Sequence, residues 1–467
     1  MKPIRPIDPV ISFKNSQGET ARGTLTNIQR RSLVMEVYNP YSIVQVSEVL
    51  SDLTIRAGAE QVIYQGKAFI NGLVNTGLMA IVSVTLIDEW SEFHAIHQDL
   101  DRVKLEAQAF VEEWDTRFKI NKEYQIVINE MRSYFAEINR WIDQIDINSG
   151  LPKDSLGRIR EDVFFDIAVP LLEKGKSYLE NFEDQASLVD LERSASHRSY
   201  AQTAIHPLIL RAPFVYRTFA KPLGYAGDYE MVNQIISDPR QGPSSYFQLV
   251  NFMFLQAKVA EAHRNRIVIL VERLTRAIHA RQDATKKFRI LTIGCGPAIE
   301  LERLLKETDE ISNVEFVLLD FSEETLKHTK EKLDKIVLQK SLAVTISTRH
   351  ESVHLLLKRA TKNLIVEESE KYDYIYCAGL FDYLSDKVCT RLIEYFTSCL
   401  RNQAKILVTN VHSSNPEKNW MEHFLEWHLI YRNEADMYKI LPANYQDIDC
   451  FTDATGVNVF LESTYRI

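Results

Sequence analysis

Apolar and polar positions follow three rhythms along the chain, and each predicts a different architecture. Up to about residue 90, short runs alternate apolar and polar positions between Gly, Asn and Ser: "VISFKN", "ARGTLTNI", "SLVMEVY", "LTIRAG", "QVIYQGKAFING" and "AIVSVTLI". Closely spaced strands with turn residues between them predict a small β-barrel over 1–91. One stretch, Ala68 to Ile87, carries no charge and is long enough to span a bilayer. Its Asn71, Asn75 and the central "VNTGL" instead predict two strands joined by an Asn-Thr-Gly turn, and so no integral membrane segment.

The rhythm changes at Glu92. Leu100, Val103, Ala107, Phe110, Trp114 and Phe118 recur at spacings of 3 and 4, and Tyr124, Val127, Met131, Phe135, Ile138 and Ile145 continue a similar face. This predicts a long amphipathic helix or helix pair, its apolar face serving as core or as a homodimer seam. Further helices through 151–195 and 245–282 complete a helical middle region, 92–285. From Phe288 the rhythm becomes mixed: "FRILTIGC", "VEFVLLDFS", "LAVTISTRH", "YDYIYCAGL" and "AKILVTNV" are strands with helices between them. That predicts an α/β domain over 286–467 with a parallel sheet wound on both faces. The closing "QDIDCFTDATGVNVFLEST" reads as two strands around an "ATG" turn, which brings the strand count to seven.

With 467 residues, 45% apolar and 25% charged, the composition is that of a soluble protein of two or three domains. A net charge of -9 argues against a nucleic-acid or anionic-membrane partner. The five cysteines, Cys295, Cys377, Cys389, Cys399 and Cys450, form no CxxC pair. With no signal-peptide core in "MKPIRPIDPVISF", they predict reduced thiols in a cytoplasmic protein and no zinc site.

The loop "LTIGCGPAIELERLL" decides which nucleotide-like ligand the third region takes. A dinucleotide needs backbone N–H groups pointed at its pyrophosphate. Pro297 removes one such donor, Glu300 puts a carboxylate in the first helical turn, and Ile299 stands where the fingerprint needs its third glycine. A nicotinamide cofactor is therefore disfavoured. S-adenosyl-L-methionine has no phosphate and tolerates all three. Gly294 and Gly296, with Cys295, Pro297 and Glu300, form the expected cofactor loop, and the glycines allow close backbone approach. Asp320, ending "VLLDFS", is placed to accept from the ribose diol. Phe321 would flank the adenine, Ser352 and Val353 would lie at its ring edge, and Ala378 and Gly379 end the fourth strand where cofactor and acceptor meet.

Two family resemblances follow from these motifs. The glycine loop, the acidic strand end and the terminal hairpin together resemble a class I, Rossmann-like methyltransferase. "LTIGCGPAIE", "CAGLFDYLSD", "NWMEHFLEWHLIYR" and "KPLGYAGDYEM" are similar to the bacterial 3-hydroxy fatty acid methyl ester synthases over about 200–467. That resemblance implies a small-molecule methyl acceptor, with a hydroxy fatty acid carboxylate as a candidate. The N-terminal region weakly resembles a PilZ barrel, the cyclic-di-GMP receptor. The PilZ arginine pair is missing, with Arg5 alone upstream, and Asn27 opens "NIQRRS" with Gln29 and Ser32 in place of serine and glycine. Cyclic-di-GMP binding is therefore not expected, and a PilZ-like barrel kept for docking is.

A carboxylate acceptor is already ionised at pH 7 and needs no base, whereas a hydroxyl, amine or carbon acceptor does. Candidates for acid–base or orienting work fall in two places. "GYAGDYEM" offers Tyr225 and Asp228 on a glycine-flanked turn suited to a lid or to an ordinary turn. Asn410 and His412 follow strand five, and His428, Tyr431 and Arg432 lie on "WHLIYR", read as helix. Arg264 and Arg266, one helix before the first strand, either hold the cofactor's methionine carboxylate or join surface ion pairs. The competing reading is a signal-responsive binding protein whose methyltransferase fold does not turn over.

Overall fold

The computed structural model describes residues 10–14, 20–28, 32–37, 49–57, 61–75, 80–88, 107–108, 111, 114, 119–148, 150–222, 226–281, 283, 285–308, 311–360 and 367–466. The chain divides into two compact units, 1–119 and 120–467.

The first unit holds β1 (Val10–Lys14), β2 (Thr20–Ile28), β3 (Ser32–Val37), β4 (Val49–Ala57), β5 (Gln61–Asn75) and β6 (Ala80–Leu86), closed into an antiparallel barrel in the order β1-β2-β3-β6-β5-β4. Alternation explains the closure. In β6, Ala80, Val82, Val84 and Leu86 point inward and the residues between them do not. The barrel interior is filled by Ile11, Phe13, Met35, Ile55, Tyr64 and Ile70, all essentially inaccessible to solvent. The uncharged stretch from Ala68 to Ile87 is the paired β5 and β6, with Ile70 opposite Val84 and Leu73 opposite Val82. Among the described residues no helix is long and apolar enough to cross a membrane. Arg5 and the turn residues Gln29, Arg30 and Arg31 lie outside the described residues.

The second unit opens with seven helices: α1 (Lys122–Asn148), α2 (Glu161–Ser187), α3 (Leu191–Ile209), α4 (Pro213–Ala220), α5 (Tyr229–Ile236), α6 (Ser245–Leu255) and α7 (Lys258–His279). The face expected on α1 is buried at Tyr124, Val127, Met131, Phe135 and Ile138, with Ile142 rather than Ile145 continuing it. It packs in one core with Phe182, Trp420 and Phe424, so this apolar stripe is used within the chain. Helix α6 is buried along its whole length, its polar Ser245, Gln248 and Asn251 included.

Strands and helices then alternate: β7 (Phe288–Ile293), α8 (Ile299–Glu307), β8 (Ser312–Asp320), α9 (Glu323–Lys340), β9 (Ala343–His350), α10 (Val353–Ala360), β10 (Tyr372–Cys377), α11 (Asp386–Cys399), β11 (Leu400–Val411), α12 (Lys418–Phe424), α13 (Glu434–Lys439), β12 (Tyr445–Thr452) and β13 (Asn458–Tyr465). The sheet order is β12-β13-β11-β10-β7-β8-β9. Strands β7 to β11 run parallel, and β13 alone runs against them, between β11 and β12. The chain reverses direction across the sheet at β7, with β8 on one side and β10 on the other. Ligands of open α/β sheets bind at that switch point, beyond the carboxyl ends of the strands.

Candidate functional site

Four loops follow the carboxyl ends of the adjacent strands β10, β7, β8 and β9, and the cofactor residues expected from sequence fall on them. After β7 the backbone turns through positive φ at Gly294 (63°), Gly296 (51°) and Ala298 (43°). Glycine is needed at the first two, because L side chains rarely adopt this conformation. A side chain at Gly296 would meet nothing within 4 Å, so the loop faces open space there. Its shape is fixed by three bonds. The Cys295 N–H donates to Leu319 O at 3.1 Å, the Gly296 N–H to Asp320 Oδ2 at 3.1 Å, and Thr329 Oγ1 to Gly296 O at 2.8 Å. The Cys295 thiol is buried and its pKa pushed up by desolvation, then by Asp320. It is not a reactive thiolate.

Asp320 ends β8 with 3% of its surface exposed. Besides Gly296, it accepts from the Ser322 N–H through Oδ1 at 2.9 Å. Burial pushes its carboxyl up while these N–H donors pull it down. Each oxygen retains acceptor capacity for a further donor. Phe321, next in the chain, is 42% exposed. Half-buried Ser352 follows β9 and caps the start of α10, where Val353 is the first residue. Ala378 and Gly379 follow β10, with Gly379 at φ 98° and its N–H donated to Thr409 Oγ1. Glu300 is turned inward, its Oε1 accepting a hydrogen bond from the Tyr376 hydroxyl at 2.7 Å, and burial raises its pKa.

The "GYAGDYEM" turn reaches both sides of this edge. Tyr225 lies outside the described residues. A Cβ on Gly227 would stand 2.7 Å from the Tyr383 hydroxyl, just after β10. On the other side the Tyr229 hydroxyl donates to Glu324 Oε1 at 2.9 Å, at the start of α9. Asp228 is fully buried and caps α5: its Oδ1 accepts from the Met231 N–H at 2.8 Å and from Arg217 Nε at 2.7 Å. Its other oxygen, Oδ2, is buried with no partner among the described residues. Buried polar atoms are seldom left so, and one beside a ligand cleft is a candidate ligand contact.

The two arginines before β7 divide. The Arg264 guanidinium bonds the carbonyls of Ile235 and Leu255. Arg266 lies against Gly379, 3.0 Å from where a Cβ there would be, within electrostatic reach of Asp382 and Glu300.

Neither histidine stands as a free base. His412 is bonded to Ser414 Oγ and to Glu434 Oε2, at 2.6 and 3.1 Å. His428 Nε2 faces Arg198 Nη1 at 3.1 Å. Because an arginine only donates, that nitrogen carries no proton. Burial, then Arg198 and Lys221, pull its pKa down to about 3. The segment "WHLIYR" is extended rather than helical: the Ile430 N–H goes to Asp382 O and the Arg432 N–H to Val411 O. Arg432, 1% exposed, donates to Phe381 O, Leu384 O, Asn410 Oδ1 and Asp386 Oδ1, tying the ends of β10 and β11 together.

Residues 291–406, which contain all four loops, match the family model described as a methyltransferase domain. By sequence this stretch resembles a methyltransferase domain. The chain is 24% identical over 179 residues to malonyl-[acyl-carrier protein] O-methyltransferase 2 of Ilyobacter polytropus, a match covering 36% of this chain and 61% of the relative. Among solved structures, one described as a possible exported protein from Bordetella parapertussis has a TM-score of 0.41 at 13% identity, covering 74% of this chain and 96% of its own. Magnesium protoporphyrin IX methyltransferase from Synechocystis PCC 6803, with bound SAH, has a TM-score of 0.36 at 13% identity, covering 54% and 98%.

Within residues 291–406 one group at the edge escaped sequence reasoning. Asp382 is 5% exposed, accepts from the Val411 N–H through Oδ1 at 2.6 Å, and is pushed up to about 6 by burial. The motif "CAGLFDYL" marked its neighbourhood, but only the fold brings Arg266 and Arg432 beside it. Among the described residues no cluster of His, Cys, Asp and Glu could hold a metal ion.

Proposed function

We propose that the chain is an S-adenosyl-L-methionine-dependent methyltransferase that esterifies a carboxylate on a small acyl-type molecule. One observation carries the reading: in a stretch that matches a methyltransferase domain, four loops bring three positive-φ glycines, an acidic strand end and an exposed aromatic ring to one sheet edge, with Arg266 of α7 against one of those glycines.

The residues present fit the cofactor. The open space at Gly296 admits close approach of a ligand, and Asp320 keeps acceptor capacity for the ribose hydroxyls. Phe321 offers a ring face to the adenine, with Ser352 and Val353 beside it. Arg266 at Gly379 would hold the methionine carboxylate. Bound there, S-adenosylmethionine supplies an electrophilic methyl group. The protein's part is to align the acceptor with it and to keep water out. Asp228 Oδ2 would accept a hydrogen bond from an acceptor hydroxyl, and the turn carrying it would close the edge between Tyr383 and Glu324. A carboxylate acceptor suits a site whose histidines are engaged and, at His428, neutral at pH 7. The relative named as an O-methyltransferase supports an oxygen acceptor.

Calorimetry with S-adenosylhomocysteine tests the reading. Binding is expected, and Asp320→Ala should weaken it by about 2 kcal/mol through lost charge-assisted bonds. Tight NADH binding without an S-adenosylhomocysteine signal would overturn it. Mass spectrometry of copurifying small molecules then names the acceptor class.

A further inference from the structure

A second concavity, of about 520 Å³, lies between α5, α7 and α8. Ile235 and Ile236 of α5, Ile267 and Val268 of α7 and Ile299 of α8 line it. Arg264 and Arg303 are the charged residues that line it among the described residues. Successive residues of a helix turn by about 100°. Arg264 and Val268, two positions either side of Arg266, therefore point about 160° away from it. The groove is on the face of α7 opposite the guanidinium at Gly379, and so is separate from the candidate methyl-transfer site.

Its lining is unusual for bare surface. Ile236 and Val268 are 40% and 37% exposed, an apolar floor that water covers at a cost. Arg264 Nη1 donates to Ile235 O at 3.3 Å and Leu255 O at 3.1 Å, and its other nitrogens make no bond to a described residue. Arg303 uses Nε on Glu307 and leaves both terminal nitrogens without a bond to a described residue. An apolar floor beside guanidinium groups, with the terminal nitrogens of Arg303 left over beyond its ion pair with Glu307, matches a ligand with an apolar chain and an anionic head.

We propose that this groove binds a single-chain amphiphile with an anionic head, its chain on Ile236, Val268 and Ile299 and its head on Arg264 and Arg303. The volume is that of a small-molecule site. The occupant touches α5, which begins at the Asp228 turn, and α8, which begins at the glycine loop.

The test is calorimetry of the full chain with sodium decanoate below its micellar threshold. Saturable one-to-one binding is expected, weakened about tenfold or more by Val268→Glu and by Arg303→Glu. 1-Decanol should bind about tenfold more weakly than decanoate, for want of the charge. Arg266→Gln should leave decanoate affinity unchanged. Unaltered affinity in both groove variants, or equal binding of decanol, would overturn the proposal. So would loss of binding in Arg266→Gln, which would put decanoate in the methyl-transfer site. Sedimentation with phosphatidylcholine–phosphatidylglycerol vesicles, abolished by Val268→Glu, would assign the groove to a membrane surface instead. None of these readouts depends on methyl transfer, so this proposal and the functional one fail separately.

Discussion

At the end of β10 a single buried carboxyl, Asp382, lies within electrostatic reach of Arg266 and Arg432, and its titration sets an expected pH dependence. Burial raises its pKa from 3.8 to about 6 against the pull of the Val411 N–H and the two arginines. As pH falls through about 6 it becomes neutral, and Arg266 loses the charge that balances it. Turnover is therefore expected to fall below pH 6 in wild type, and Asp382→Asn should remove that acid limb from a pH–rate profile. The sign for stability is opposite. Between the unfolded value of 3.8 and the folded value of about 6, the folded state binds more protons, so this group makes the fold more stable as pH falls. Protonation of Asp382 therefore does not itself unfold the protein, and far-UV circular dichroism at pH 5 separates a loss of activity through this group from unfolding. An acid limb that persists in Asp382→Asn would place the titrating group elsewhere. His428, held near 3, cannot supply it. Gly294, Gly296 and Asp320 were legible in sequence because a strand end and a glycine turn are local patterns. Asp382 was not, because its pKa depends on burial and on arginines far away in the chain.

At the scale of elements, reading succeeded where periodicity had one meaning and failed where it had two. Trp420, Phe424 and Trp427 stand at spacings of 4 and 3, a helical period, and "WHLIYR" reads as helix in sequence. The helix stops at Phe424 because Glu426 adopts φ 50° and the following segment gives its N–H groups to the ends of β10 and β11. All three side chains are still buried, so the aromatic stripe is real and its secondary structure is not helical throughout. The "GYAGDYEM" stretch was legible as a turn, but what holds Gly227 in it was not. Gly227 is required by close approach: a methyl group there would fall 2.7 Å from the Tyr383 hydroxyl, which also accepts from Trp427 Nε1. Gly227→Ala must therefore displace either the turn or the Tyr383 ring. If the turn closes over bound ligands, kcat should fall about tenfold while S-adenosylhomocysteine affinity stays within a few-fold, since the glycine loop and Asp320 are untouched. Equal loss of affinity and kcat would show that the turn holds the cofactor rather than the acceptor.

The whole molecule consists of two units whose sequences were distinguishable because their periods differ: near 2 in the barrel, then 3.6 and mixed. Among the described residues the barrel core runs from Ile11 to Leu86, and the six strands close on one another. The residues proposed for cofactor and acceptor all lie between Asp228 and His428, within the second unit. What the sequence could not show is that the helices of 120–285 share a core with Val411, Trp420, Trp427 and Val457. Apolar stripes announce that a face is buried but not against what. A chain beginning at Ile120 keeps that shared core whole and should fold by itself. One cut near residue 286 removes most of it, exposes Trp420 and Phe424, and should aggregate. The expected outcome is that 120–467 binds S-adenosylhomocysteine within a few-fold of the full chain, whereas 286–467 is insoluble or does not bind. Retained affinity in 286–467 would show that the helices are dispensable to the cofactor site. Lost affinity in a well-folded 120–467, judged by a cooperative thermal transition, would show that the barrel takes part in binding.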